Sequence, residues 1–162
     1  MEHRKPARQR VVAADSSRME KPLVLILCTG NSARSQMAEG ILRSIAGDKF
    51  DVDSAGVAPS RVRPVAVEAM RDIGVDISTH RSKSVDEFLE EPFDYVITVC
   101  DNAKESCPVF PGNAERIHWS FDDPAAYEGT DDEKLSEFIR VRDQIFEKLR
   151  IFFERFSDLT HT

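Results

Sequence analysis

From residue 21 onward the chain alternates short apolar runs with segments whose apolar positions recur every three or four residues. Leu23-Val24-Leu25-Ile26-Leu27 is continuously apolar, the pattern of a parallel strand buried on both faces. Residues 35–46 set Met37, Ala38, Ile41, Leu42 and Ile45 on one helical face, and Gly47-Asp48 supply a stop. A second strand is expected over 50–54. Pro64 suits the first turn of a helix that carries Val65, Val67, Ala69, Met70 and Ile73 and stops at Gly74. A shorter helix is expected over 84–89, a third strand over 95–99 and a fourth over 116–119. The last helix, over 133–156, presents Phe138, Ile145, Leu149, Phe152 and their helical neighbours as a core face. Strands alternating with helices predict an α/β fold, a three-layer sandwich with a central four-stranded parallel sheet flanked by helices and right-handed crossovers.

The 162 residues suit one domain, placed at residues 21–160. Residues 1–20, rich in Arg, Lys, Ser and Ala without apolar periodicity, read as a flexible extension, with Met19 as an alternative start. Basic residues cluster there as in a targeting peptide, but Glu2, Asp15 and Glu20 oppose that reading. A net charge of −7 argues against a nucleic-acid partner. No apolar run approaches the roughly 18 residues of a membrane helix. Three cysteines, an odd count, make a closed disulfide framework an unsuitable reading and a reducing cytoplasm the expected setting. A monomer is the expected state.

Chemistry concentrates in Cys28-Thr29-Gly30-Asn31-Ser32-Ala33-Arg34-Ser35, a cysteine, five residues, an arginine and a serine, between a buried strand and a helix. Successive backbone N–H groups at a helix start form a nest for a tetrahedral oxyanion. Thr29, Gly30, Asn31, Ser32, Ala33 and Arg34 are therefore the expected oxyanion-binding residues. Gly30 and Asn31 tolerate the unusual backbone angles of a cradle, and Arg34 offers a planar fork for two anion oxygens. The same field favours a Cys28 thiolate, and Ser35 can donate a hydrogen bond to its sulfur. The plainer alternative is a buried cysteine at a strand end; the agreement of strand, loop, arginine and helix weighs against it. Displacement at a tetrahedral oxyanion also needs a proton for the departing oxygen. Asp122-Asp123-Pro124 offers one; Asp123, kept extended by the following proline, is preferred over Asp122.

The loop, the helix start Gln36-Met37-Ala38-Glu39-Gly40 and Asp123-Pro124 together resemble the low-molecular-weight protein tyrosine phosphatase fold. Within it the chain is most similar to thioredoxin-coupled arsenate reductases, over roughly residues 21–156. The distinguishing segment is Val99-Cys100-Asp101-Asn102-Ala103-Lys104-Glu105-Ser106-Cys107-Pro108. The resemblance implies reduction of arsenate to arsenite, in arsenic detoxification, by a relay from Cys28 to Cys100 to Cys107. Cys28 would attack arsenic while Asp123 protonates the leaving oxygen. Cys100 would then attack Cys28 and release arsenite, and Cys107 would attack Cys100, leaving a disulfide for thioredoxin. Phosphate and sulfate would compete with arsenate, and no bound cofactor is implied. Spacing alone says only that two cysteines lie close in sequence; a core cysteine plus an incidental surface thiol stays open. Zinc fits the Cys-x6-Cys spacing poorly without a nearby set of histidines.

Phosphatases of this fold carry an aromatic wall after the segment matching Ser54-Ala55-Gly56, where this chain has Val57, Ala58, Pro59 and Ser60. They also tend to have tyrosine where Ala125 stands, with Tyr127 nearby but displaced. Both departures favour a small inorganic substrate. Some arsenate reductases of the family bind potassium through residues matching Asn31, Glu39 and Ser54, plus an aspartate that aligns with Lys83. The expectation is that the Lys83 ammonium takes the cation's place and supports the loop; a solvated surface lysine is the alternative. His118 reads as a structural strand residue and His80 as a loop residue. Competing functions are a phosphatase in which Cys100 and Cys107 only protect Cys28, and a non-catalytic oxyanion or arsenite binder. Glutaredoxin and mycothiol are alternative reductants.

Overall fold

The computed structural model describes residues 21–160, with side chains to residue 156; the expected extension over 1–20 lies outside the described residues. Four parallel strands, β1 (Leu23–Cys28), β2 (Asp51–Gly56), β3 (Tyr95–Thr98) and β4 (Glu115–His118), form one sheet in the order β2-β1-β3-β4. The helices are α1 (Arg34–Ala46), α2 (Pro64–Arg71), the short α3 (Asp101–Glu105) and the long α4 (Asp131–Thr160). Every residue of β1 is buried, so layers cover both faces of the sheet. The expected α/β sandwich with a four-stranded parallel sheet is the fold observed.

Local boundaries differ where local signals are weak. The second strand begins at Asp51, one residue later than Phe50, and runs on to Gly56. The helix expected to reach Ile73 ends at Arg71, and Ile73 is exposed on the turn that Gly74 closes at φ 79°. The segment at 84–89 is one 3-10 turn, Val85–Phe88, capped by Ser84 accepting from Asp86 N–H. Residues 101–105, between two cysteines, form a helix of scarcely more than one turn.

Two side-chain assemblies anchor the layers. Phe50, Tyr95, Trp119, Phe152 and Phe156 pack edge to face and tilted beneath α4. Arg142 of α4 is buried and donates to Ala69 O of α2 and to Asp72 just past its end, tying the two helices. Gly40 lets α1 close on its neighbours: a Cβ there would stand 2.8 Å from Ile77 and 3.0 Å from Met70. No helix among the described residues is long and apolar enough to cross a membrane.

Candidate active site

The site follows from strand order. From β1 the chain turns one way through α1 to β2, and from β3 it turns the other way through α3 to β4. Such a switch point opens a crevice at the carboxyl ends of the strands. Cys28 closes β1 and Cys100 follows β3, so two residues far apart in the chain share one end of adjacent strands.

Loop 28–33 is held from outside. Cys28 O accepts from Val57 N–H (3.2 Å), Thr29 O from Ala58 N–H (2.8 Å) and Gly30 O from Ser60 N–H (3.0 Å). Ser32 O accepts from Arg63 N–H (2.9 Å), and Ala33 O opens the helical ladder at Met37 (2.8 Å). Asn31 O accepts from the Gln36 side chain. With each carbonyl engaged on the outer side, the loop's amides are left to face inward, as an oxyanion nest requires. Asn31 N–H points at Cys28 Sγ, 3.2 Å away. Ala33 caps α1 without a side-chain bond, so no side chain competes for the first amides of that helix. Only one of the two residues expected to adopt unusual angles does so: Asn31 has φ 48°, whereas Gly30 stays outside the left-handed region. The glycine the loop needs is Gly56 at the end of β2, where a Cβ would stand 2.6 Å from Thr29 O and 2.8 Å from Asn31 N.

Cys28 is buried, and its sulfur lies 2.9 Å from Ser35 Oγ. The network behind Ser35 fixes the direction of that bond. Lys83 N–H donates to Asn31 Oδ1 (2.8 Å), which orients the amide so that Nδ2 donates to Ser35 Oγ (2.7 Å) and Ser54 Oγ (2.9 Å). With Asn31 donating to Ser35, the Ser35 proton is free to point at Cys28, where it stabilises a thiolate. Ser54 in turn donates to Glu39 Oε1 at 2.6 Å.

Glu39 is 2 % exposed and meets two cations: Arg43 at 2.7 Å and the Lys83 ammonium at 3.5 Å. Lys83 is itself only 8 % exposed, so it is not a solvated surface lysine. Asn31, Glu39, Ser54 and Lys83 thus come together beneath the loop. Three of these could ring a monovalent cation, but the ammonium beside Glu39 makes the set a poor fit for a second positive charge. Among the described residues no group of three or more His, Cys, Asp or Glu could hold a metal ion.

Asp123 caps the turn Pro124–Ala126 by accepting from Ala125 N–H (3.0 Å), and its other oxygen lies 3.7 Å from Arg34. Arg34 also donates to Phe121 O (3.1 Å), so it links the anion loop to the segment bearing the carboxylate. Asp122 instead pairs with Arg140 of α4.

All three cysteines are free. Cys100 is 6 % exposed, with its sulfur 3.3 Å from Thr29 Oγ1, which also accepts from Asn102 at 3.1 Å. Cys107 lies beyond α3, half-buried, beside Arg116 of β4. The five residues of α3 between them span about 7.5 Å at a helical rise of about 1.5 Å per residue. A disulfide needs Cα atoms about 4.4–6.8 Å apart, so pairing these two requires α3 to unwind.

Several supporting residues carry no motif. Gln36 donates to Asn31 Oδ1 (2.9 Å) and Arg81 O (2.9 Å), and its oxygen faces His80 Nδ1 at 2.9 Å, which must donate. His80 is therefore a member of the loop's support as well as a loop residue; burial holds its pKa below the ordinary value near 6.5, with Glu39 opposing and Arg43 and Lys83 reinforcing. His118 bridges Thr98 (2.7 Å) and Asp101 (2.9 Å), and its hydrogen bond is the main cause of a lowered Asp101 pKa. Ser82 holds Gly30 O at 2.8 Å.

Residues 23–160 match the family described as low molecular weight phosphotyrosine protein phosphatase. An arsenate reductase of Halalkalibacterium halodurans is 50 % identical over 136 residues, covering 84 % of this chain and 98 % of that protein. A solved arsenate reductase in its phosphate-binding state superposes with a TM-score of 0.67 at 31 % identity, covering 83 % of this chain and 98 % of the other. A low molecular weight protein tyrosine phosphatase from T. tengcongensis gives a TM-score of 0.67 at 25 % identity, with 83 % and 99 % covered.

Proposed function

The chain belongs to the low molecular weight phosphotyrosine protein phosphatase family, and from that premise we propose that it reduces arsenate to arsenite through a three-thiol relay recharged by thioredoxin. The observation that carries this reading is a second buried thiol, Cys100, at the mouth of the anion loop, its sulfur 3.3 Å from Thr29 Oγ1. Hydrolysis through Cys28 has no use for it. Relatives named as arsenate reductases support the same reading.

The loop amides and Arg34 hold the tetrahedral anion, for which phosphate and sulfate compete. Cys28 thiolate bonds to arsenic, and Asp123 gives its proton to the oxygen that leaves as water. Cys100 then attacks the Cys28 sulfur. The new S–S bond supplies two electrons to arsenic, which departs as arsenite. Cys107 attacks Cys100 next; Cys28 leaves as a thiolate, and the Cys100–Cys107 disulfide is reduced by thioredoxin. Beneath the loop, the Lys83 ammonium does the work of a cation by fixing Glu39, and its backbone N–H fixes Asn31.

The test follows NADPH oxidation with arsenate, thioredoxin and thioredoxin reductase, beside hydrolysis of an aryl phosphate. Cys100→Ser and Cys107→Ser lose arsenate turnover and keep slow hydrolysis, because loop and acid are shared. Full arsenate turnover in both variants would sink the relay; aryl phosphate hydrolysis with no arsenate turnover in the wild type would leave the phosphatase reading.

A further inference from the structure

Arg116 stands on edge strand β4 with one guanidinium nitrogen 2.9 Å from Cys107 Sγ and another 2.9 Å from Pro108 O. Arginine only donates, so the sulfur accepts from it, while the thiol in turn donates toward Pro108 O at 3.5 Å; a fixed cation beside a half-buried sulfur is the setting in which cysteines are reactive. Two residues along the strand, His118 grips Asp101 at the start of α3. Alternate positions of one strand thereby hold both ends of the segment carrying Cys107. We propose that Arg116 is the positioning residue of the third thiol: it keeps the Cys107 sulfur nucleophilic and in place until the Cys28–Cys100 disulfide forms. This rests on the relay reading.

The step it serves is balanced within the chain. Cys107 thiolate attacks Cys100 Sγ; the Cys100–Cys107 bond forms as the Cys28–Cys100 bond breaks. The electron pair leaves on Cys28, whose sulfur faces donors from Ser35 and Asn31 N–H. The Pro108 carbonyl, held by the same fork, keeps the segment oriented while α3 unwinds.

Two measurements test the assignment. In a Cys28→Ser/Cys100→Ser chain, Cys107 is the only thiol, and its alkylation by iodoacetamide at neutral pH needs no arsenate. Adding Arg116→Gln slows that alkylation roughly tenfold, the scale of one charge-assisted hydrogen bond, and Arg116→Lys restores most of it. A purely structural role would open the segment and speed alkylation, so an unchanged or faster rate overturns the proposal. In the chain with all three thiols, a single arsenate turnover without reductant, quenched in acid and mapped, ends as Cys100–Cys107 in the wild type. Arg116→Gln accumulates Cys28–Cys100 instead; equal Cys100–Cys107 formation in the two chains overturns the assignment. If the wild type forms no disulfide at all, the relay reading fails, while the alkylation result still judges the Arg116–Cys107 pairing.

Discussion

Asn31 Nδ2 lies 2.7 Å from Ser35 Oγ, and this one donor decides which way the Ser35 proton points. Lys83 N–H fixes the amide's orientation from the other side. The hydrogen bond to Cys28 is thus set by a residue whose own side chain makes no bond to that sulfur.

Ser35→Ala removes the donor to Cys28, and Asn31→Asp replaces a donor to Ser35 with an acceptor. Each slows Cys28 alkylation at neutral pH and aryl phosphate hydrolysis by about 10–100-fold, matching roughly 1.5–3 kcal/mol for a hydrogen bond to a charged group. Equal rates in wild type and Asn31→Asp would show that the amide does not govern the serine.

Lys83→Met strips Glu39 of one buried cation while Arg43 remains at 2.7 Å. Urea unfolding is expected to show a loss of about 2–3 kcal/mol, below the roughly 3–5 for a pair broken outright. Exchanging potassium for choline leaves wild-type turnover within about twofold, because the ammonium already serves. Strong potassium activation of the wild type would refute the substitution of lysine for a cation.

His80 has a lowered pKa, so above its ordinary value near 6.5 both folded and unfolded forms are neutral and the group is silent. As pH falls through that value the unfolded chain takes up a proton that the folded chain refuses, and stability drops. His80→Asn, which keeps a donor to Gln36, removes this component. Thermal unfolding compared at about pH 7.5 and pH 5.5 is expected to fall further in the wild type than in the variant; parallel losses would remove His80 as the cause.

Gly56→Ala sets a methyl 2.6 Å from Thr29 O and pushes on the anion loop. The expected cost is about 1–3 kcal/mol, accompanied by weaker phosphate binding measured by calorimetry. Gly74→Ala is the control: its φ of 79° makes it strained but nothing lies within 4 Å, so stability falls and phosphate affinity stays. Matching losses of affinity in the two variants would contradict a local effect at the loop.

The sequence by itself determined the apolar strand ending at Cys28, the helix after it, the Cys-x5-Arg-Ser loop and the α/β layering. Those features depend on residues a few positions apart, so periodicity and spacing carry them. It could also name Glu39, Ser54 and Lys83, and the supporting role of Asn31, but only through resemblance. Tertiary structure alone decided that residues 57–63 template the loop's carbonyls, that Gln36, itself held by His80, braces Asn31, and that Gly56 supplies a close approach to the loop while Gly30 does not take the unusual angles expected of it. It also decided that Cys107 rests on Arg116. The contacts of residues 57–63, Gly56 and His80 pair segments distant in the chain, and a backbone N–H or a glycine hydrogen leaves no mark in the pattern of side chains. Gly56 and residues 57–63 reach the loop through the β1–β2 register, which sets Cys28 against Gly56, whereas Cys100 reaches it only when β1 and β3 become neighbours.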